Sequence, residues 1–114
     1  TLSLASSDGA YRLSIRRQGR FSNHMHDHVE VGDRIQARAP RGDFTVDAAE
    51  PRPLALISAG IGITPMLAML RHVVYEGVRR RRMRPTWFLH GARNENERAF
   101  HAAVAALAAA ARGA

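Results

Sequence analysis

The residues whose types and spacing could do chemistry converge on Gly60-Ile61-Gly62-Ile63-Thr64-Pro65, which follows directly on the apolar run Leu54-Ala55-Leu56-Ile57-Ser58-Ala59. An unbroken apolar run of this length, closed by glycines, reads as a buried parallel strand that ends in a tight turn. Thr64 and Pro65 then supply a helix start, Thr64 as N-cap and Pro65 as first helical residue. Such a corner binds anions, because backbone N–H groups converge there with the positive end of the helix dipole behind them. A nucleotide pyrophosphate is the anion that fits. A lone Gly-x-Gly is nevertheless a weak signal: the third glycine of the dinucleotide fingerprint is missing, and Pro65 stands where helix packing would want a small residue. The plain alternative is a tight turn with nothing bound.

Other chemistries find less support in the residues. The chain has no cysteine, which excludes disulfides, thiolate catalysis, iron–sulfur ligation and cysteine zinc sites together. It has no lysine either, all 17 basic residues being arginine, so the lysine of a phosphate loop is absent. Ser58 lies within the strand and no Gly-x-Ser-x-Gly elbow surrounds a serine, which sets aside Ser-His-Asp hydrolysis. His24, His26 and His28 with Asp27 invite a metal reading. On a helix His24 and His28 share a face while His26 points elsewhere, two ligands where zinc takes three or four, so no metal site is expected. The run Arg79-Arg80-Arg81-Arg82-Met83-Arg84 could meet nucleic-acid phosphates. However, it follows Gly77, where the preceding helix should stop and cations are favoured, and no aromatic residue is interleaved to stack on bases. A solvated loop is the preferred reading.

Two kinds of element must position these residues. Up to about Val46 the chain reads as short strands and turns: residues 1–5 and the alternating Tyr11-Arg12-Leu13-Ser14-Ile15-Arg16 flank a Ser7-Asp8-Gly9 hairpin turn. Ser22 caps a short helix that carries the histidines. A third strand is expected at Arg34-Ile35-Gln36-Ala37-Arg38-Ala39, and Phe44-Thr45-Val46 follows a turn at Pro40-Arg41-Gly42-Asp43. Closely spaced strands of this kind suggest part of an antiparallel barrel. Ala49-Glu50-Pro51-Arg52-Pro53 is a stiff boundary. Beyond it the periodicity is helical through Met66, Met69, Leu70, Val73 and Val74, then strand-like at Thr86-Trp87-Phe88-Leu89-His90. Asn94 and Glu97 have capping-box spacing ahead of Phe100, Ala103, Val104, Leu107 and Ala111 on one helical face. Strand, helix, strand, helix is the start of an open parallel sheet.

The order of these motifs resembles the ferredoxin reductase superfamily, most closely the reductase part of flavohaemoglobins and related flavin oxidoreductases. The resemblance is carried by Thr1-Leu2-Ser3, by Gly19-Arg20-Phe21-Ser22-Asn23 with Met25-His26-Asp27, by Pro40-Arg41-Gly42-Asp43-Phe44, by residues 57–66, and by His90-Gly91-Ala92-Arg93-Asn94. It implies an α+β to α/β chain: a partial antiparallel flavin-binding barrel over residues 1–50, then the first half of a Rossmann-like nicotinamide-dinucleotide domain over residues 51–114. Thr1 matches the last position of the family's Arg-x-Tyr-Ser/Thr flavin motif, so its Arg and Tyr are expected upstream and further strands downstream, the chain being a fragment truncated at both ends. The resemblance places Thr1, Ser3, Gly19, Phe21, Ser22 and Asn23 at the flavin, with the Gly19 stretch at a pyrophosphate and hence FAD favoured over FMN. It places Gly60, Ile61, Gly62, Thr64 and Pro65 at the nicotinamide dinucleotide, Thr64 facing the gap between nicotinamide and flavin. His90 and Arg93 fall near the adenosine half. Glu76 lies inside the intervening helix rather than at the ribose position, so NADH and NADPH are both open, and Arg93 points toward tolerance of a 2′-phosphate.

The resemblance therefore implies an oxidoreductase that passes hydride from NAD(P)H to FAD and electrons onward to an acceptor domain or protein, with no side chain needed as acid or base. The alternative is a non-catalytic nucleotide- or nucleic-acid-binding remnant of the same fold. The 114-residue chain is 46% hydrophobic, which argues against global disorder, and its formal charge of +7 suits phosphate-bearing ligands. No run approaches a membrane span and no signal peptide opens the sequence. A cytoplasmic location without membrane or nucleic-acid partners is expected.

Overall fold

The computed structural model describes residues 2–4, 11–39, 41–92 and 101–113. Two short strands, β1 (Leu2–Leu4) and β2 (Tyr11–Leu13), pair antiparallel with Ser3 opposite Arg12. Helix α1 (Arg20–His28) comes next, then a long irregular stretch. The second half is regular: β3 (Leu54–Ala59), a 3₁₀ turn (Gly60–Gly62), α2 (Ile63–Arg80), β4 (Thr86–Gly91) and α3 (His101–Arg112). β3 and β4 are parallel and in full register, Leu54 opposite Thr86 through Ala59 opposite Gly91. Parallel neighbours require a crossover, and α2 is that crossover.

The core lies between this two-stranded sheet and the helices. Leu67, Leu70, Val73, Val74 and Gly77 line the buried stripe of α2 at the spacing of one helical face. Leu56 from β3 packs with Leu70 and Val74, and Phe88, Val104, Leu107 and Ala111 close around them. Val104, Leu107 and Ala111 of the α3 face read from the sequence therefore pack, while Phe100 of that face falls outside the described residues. The linker is tied down as well: Arg84 donates to the carbonyls of Arg52 (2.7 Å) and Asp47 (2.8 Å), and the Leu54 amide donates to Pro85 O (2.8 Å).

The structure departs from the sequence expectations in several places. β3 and β4 were expected to be buried, but only one face is covered. Leu56 is 3% exposed, while Ile57, Trp87 and Leu89 are 66%, 68% and 52% exposed, because among the described residues α2 covers the Leu56 side of the sheet and α3 packs on α2. The barrel is not shown. β2 ends at Leu13, and neither residues 34–39 nor residues 44–46 form a strand; Ile35 and Phe44 lie exposed, and alternating sequence becomes a strand only beside a ladder partner. α2 does not stop at Gly77. It runs to Arg80, and Gly77 is a packing glycine rather than a stop: it lies beneath Met83, whose Sδ would lie 2.5 Å from a Cβ at that position. The hairpin turn at residues 7–9, the turn residue Pro40 and the Asn94/Glu97 cap fall outside the described residues. Among the described residues no helix is long and apolar enough to cross a membrane.

Candidate functional site

The corner that the sequence singles out is formed where the carboxyl ends of β3 and β4 meet the amino end of α2. The chain leaves β3 through Gly60, whose φ of +57° is a left-handed conformation that glycine adopts without strain. Gly62 is the N-cap of α2, with ordinary helical angles (φ −62°, ψ −8°). Helix start and predicted cap thus differ: Ile63 is the first helical residue, Thr64 the second and Pro65 the third. Proline is accommodated there because the amides of a helix's first turn have no intrahelical acceptor to lose. The shift matters chemically, since Pro65 contributes no N–H and donors to an anion must come from residues before it. Thr64 is buried, 4% exposed, with its side chain on the packed side of the helix.

A Cβ built on Gly60, Gly62 or Gly91 would meet no atom of the described residues within 4 Å, and Gly91 sits opposite Ala59 at the end of the sheet. Beside them, Ser58 and His90 face each other across the two strands, with Ser58 Oγ 2.9 Å from His90 Nδ1. The other ring nitrogen, His90 Nε2, is buried and has no hydrogen-bond partner among the described residues. Sequence reasoning misses Ser58 as a site residue, since without a nucleophile elbow it reads only as a strand serine. The cross-strand register that joins it to His90 is not visible in either strand alone.

The second predicted cluster, at α1, is only partly as expected. The helix begins at Arg20 and Gly19 is its N-cap, in extended conformation. Ser22 is not the cap but braces it from inside: its Oγ accepts from the amides of Gln18 and Gly19, both at 2.8 Å, and donates to Gly19 O at 3.1 Å. The hydroxyl is therefore used within the helix start. Asn23, expected to offer its amide to a ligand, donates it to Gly19 O at 2.8 Å, closing the first helical turn. The first-turn amides that remain are those of Arg20, Phe21 and Ser22, beside the exposed Phe21 ring. Arg17 fastens the same helix, donating to Asn23 Oδ1 (3.2 Å) and Asp27 Oδ1 (2.9 Å). Its guanidinium holds the Asp27 carboxyl below the usual carboxylate range. Ser3 pairs through its backbone in β1, Ile61 lies in the 3₁₀ turn, and Thr1 and Arg93 fall outside the described residues.

The arginine run begins inside α2, at Arg79 and Arg80, and three of its arginines are engaged within the chain. Arg79 and Arg80 both pair with Glu76, at 2.7 and 3.0 Å, and Arg84 holds the linker. These bonds support the structural reading of the run over a phosphate-binding one.

Known proteins agree with the geometry. Residues 56–114 match the family model described as oxidoreductase NAD-binding domain. Over nearly the whole chain it is similar to flavohemoproteins. That of Deinococcus radiodurans is 42% identical over 109 residues, 94% of this chain and 26% of the relative. That of Pseudomonas putida is 42% identical over 111 residues, 96% and 26%. The Bacillus subtilis protein is 43% identical over 84 residues, 74% and 20%. The chain thus spans about a quarter of the length of these relatives. No solved structure matches it.

Proposed function

The chain belongs to the oxidoreductase NAD-binding domain family, and from that premise we propose that it is part of a flavin-dependent oxidoreductase that takes hydride from NAD(P)H onto FAD and passes electrons to an acceptor. In this reading residues 51–114 are the first half of the dinucleotide domain and residues 1–50 part of the flavin domain. The acceptor is a further domain or a separate protein, and the reaction belongs to the cell interior. The similarity to flavohemoproteins along residues on both sides of the linker supports the pairing of the two cofactors.

One observation carries the reading: a glycine turn at the carboxyl ends of two parallel strands, uncrowded by the described residues at Gly60, Gly62 and Gly91 and backed by the amino end of an 18-residue helix. Nucleotides dock in this position of open α/β sheets, with the diphosphate at the helix start. Bound nicotinamide and flavin supply the redox chemistry. The chain's share is placement. Gly60 turns the backbone away from the diphosphate, and Gly62 keeps the approach clear of a side chain. Thr64 and Pro65 fix the first turn of the helix, Ser58 orients His90 toward the adenosine half, and the first turn of α1, from Gly19 through Ser22, meets the flavin pyrophosphate.

The test is a Gly62→Val variant titrated with NADH and with NADPH. Because Gly62 has helical angles and no described atom crowds it, the substitution is expected to cost at most about 1 kcal/mol of fold stability. Affinity for the dinucleotide should nevertheless fall at least tenfold, the valine occupying the space of the diphosphate. Unchanged affinity would remove the turn from the site. Ferricyanide reduction by the chain with added FAD and either nicotinamide examines the flavin half separately.

A further inference from the structure

We propose that His24 and His28 form a two-imidazole clip for a divalent transition metal ion that accepts two imidazoles with water in its other positions, Cu(II) or Ni(II), on the exposed face of α1. The two residues are one helical turn apart, the spacing that brings side chains together on one face, and their ring centroids lie 4.9 Å apart with the planes tilted by 37°. A metal–nitrogen bond of about 2.0–2.1 Å places a ring centroid about 3.2 Å from the ion, so two imidazoles bound at about 90–110° have centroids about 4.5–5.2 Å apart. The observed spacing of 4.9 Å falls within that range.

Both rings are available. Each residue is exposed, and among the described residues neither makes a hydrogen bond to the protein. Their neighbours are committed elsewhere: His26 Nε2 lies 2.7 Å from Ile15 O, and Asp27 and Asn23 are held by Arg17. Among the described residues no third His, Cys, Asp or Glu completes a cluster. The clip therefore leaves the remaining coordination positions to water, which suits ions that accept imidazole in open geometries better than a closed structural zinc site.

Two further features favour an ion here. His28 lies in the last turn of α1, where the helix dipole favours positive charge. α1 has nine residues and buries none of them, and a helix this short is marginal without outside support. An ion bridging successive turns binds the helical form only, so occupancy should stabilise α1.

The experiment titrates the full chain with Ni(II) alone, read by calorimetry and by amide hydrogen exchange across residues 20–28. One equivalent is expected to bind and to slow exchange in α1. His24→Gln and His28→Gln should each weaken binding at least tenfold, and the double variant should be little weaker than either. His26→Gln should bind as the parent does. Both ligand positions are exposed, and circular dichroism verifies that the variants fold. No binding, affinity unchanged in either single variant, or loss only in His26→Gln would each overturn the clip.

Discussion

Residues of one type serve different ends in this chain. Gly60 is demanded by the backbone, since its φ of +57° would cost a side-chain-bearing residue about 1–2 kcal/mol. Gly62 is not: its angles suit any residue and no described atom crowds it, so the backbone does not require a glycine there. Ser22 shows the reverse. A hydroxyl expected to serve a cofactor is spent on the backbone of Gln18 and Gly19. Ser22→Ala should therefore loosen α1 by about 1 kcal/mol, seen as faster hydrogen exchange at the Gln18 and Gly19 amides. Exchange at those amides unchanged in the variant would mean the brace contributes nothing.

Elements are legible in the sequence where their periodicity is satisfied by contacts close along the chain, and misread where a distant partner decides. β3, β4 and the apolar stripes of α2 and α3 form where they are expected, because α2 needs only the adjacent sheet face and α3 only the helix beside it. The strands expected at residues 34–39 and 44–46 depend on ladder partners that are not beside them, so alternation there produces no strand. The site is half legible: the glycine turn stands out in the sequence, whereas the Ser58–His90 pair exists only through the register of β3 on β4. The end of α2 is hidden for a packing reason, Met83 over Gly77. There the helix closes on Arg81 in left-handed conformation (φ 54°, ψ 33°), with Arg82 N bonded to Gly77 O at 3.0 Å and Arg81 N to Val78 O at 3.3 Å. This closure favours glycine, so Arg81→Gly should raise stability by about 1 kcal/mol, measured as the urea midpoint. Glu76 adds a pH dependence at the same helix end. The guanidinium of Arg79, with help from Arg80, holds its carboxyl below the ordinary value of 4.5. A carboxylate depressed on folding contributes stability that is present above its unfolded value and disappears as pH falls through the folded one. The last turn of α2 should accordingly loosen below about pH 4.5, and Glu76→Gln should flatten that dependence in hydrogen exchange at residues 78–82.

At the scale of the molecule, one sheet has two unlike sides. The face with Leu54, Leu56, Ser58, Phe88 and His90 meets the helices, and the face with Ala55, Ile57, Trp87 and Leu89 meets solvent. A parallel sheet in an α/β domain is normally covered on both sides, and the near-continuous apolar sequence of β3 is written for that condition. Stability should therefore be carried by one side of the sheet alone, and adjacent residues of β3 provide the comparison. Leu56, 3% exposed and in contact with Leu70 and Val74, should cost about 2–5 kcal/mol on replacement by alanine. Ile57, one position along and 66% exposed, should change stability by no more than about 0.5 kcal/mol on replacement by threonine, which keeps the β-branched shape that strands prefer. Urea unfolding of Leu56→Ala and Ile57→Thr measures both. A cost at Ile57 comparable with that at Leu56 would mean that the outer face is covered in solution, and the one-sided core would be the wrong description.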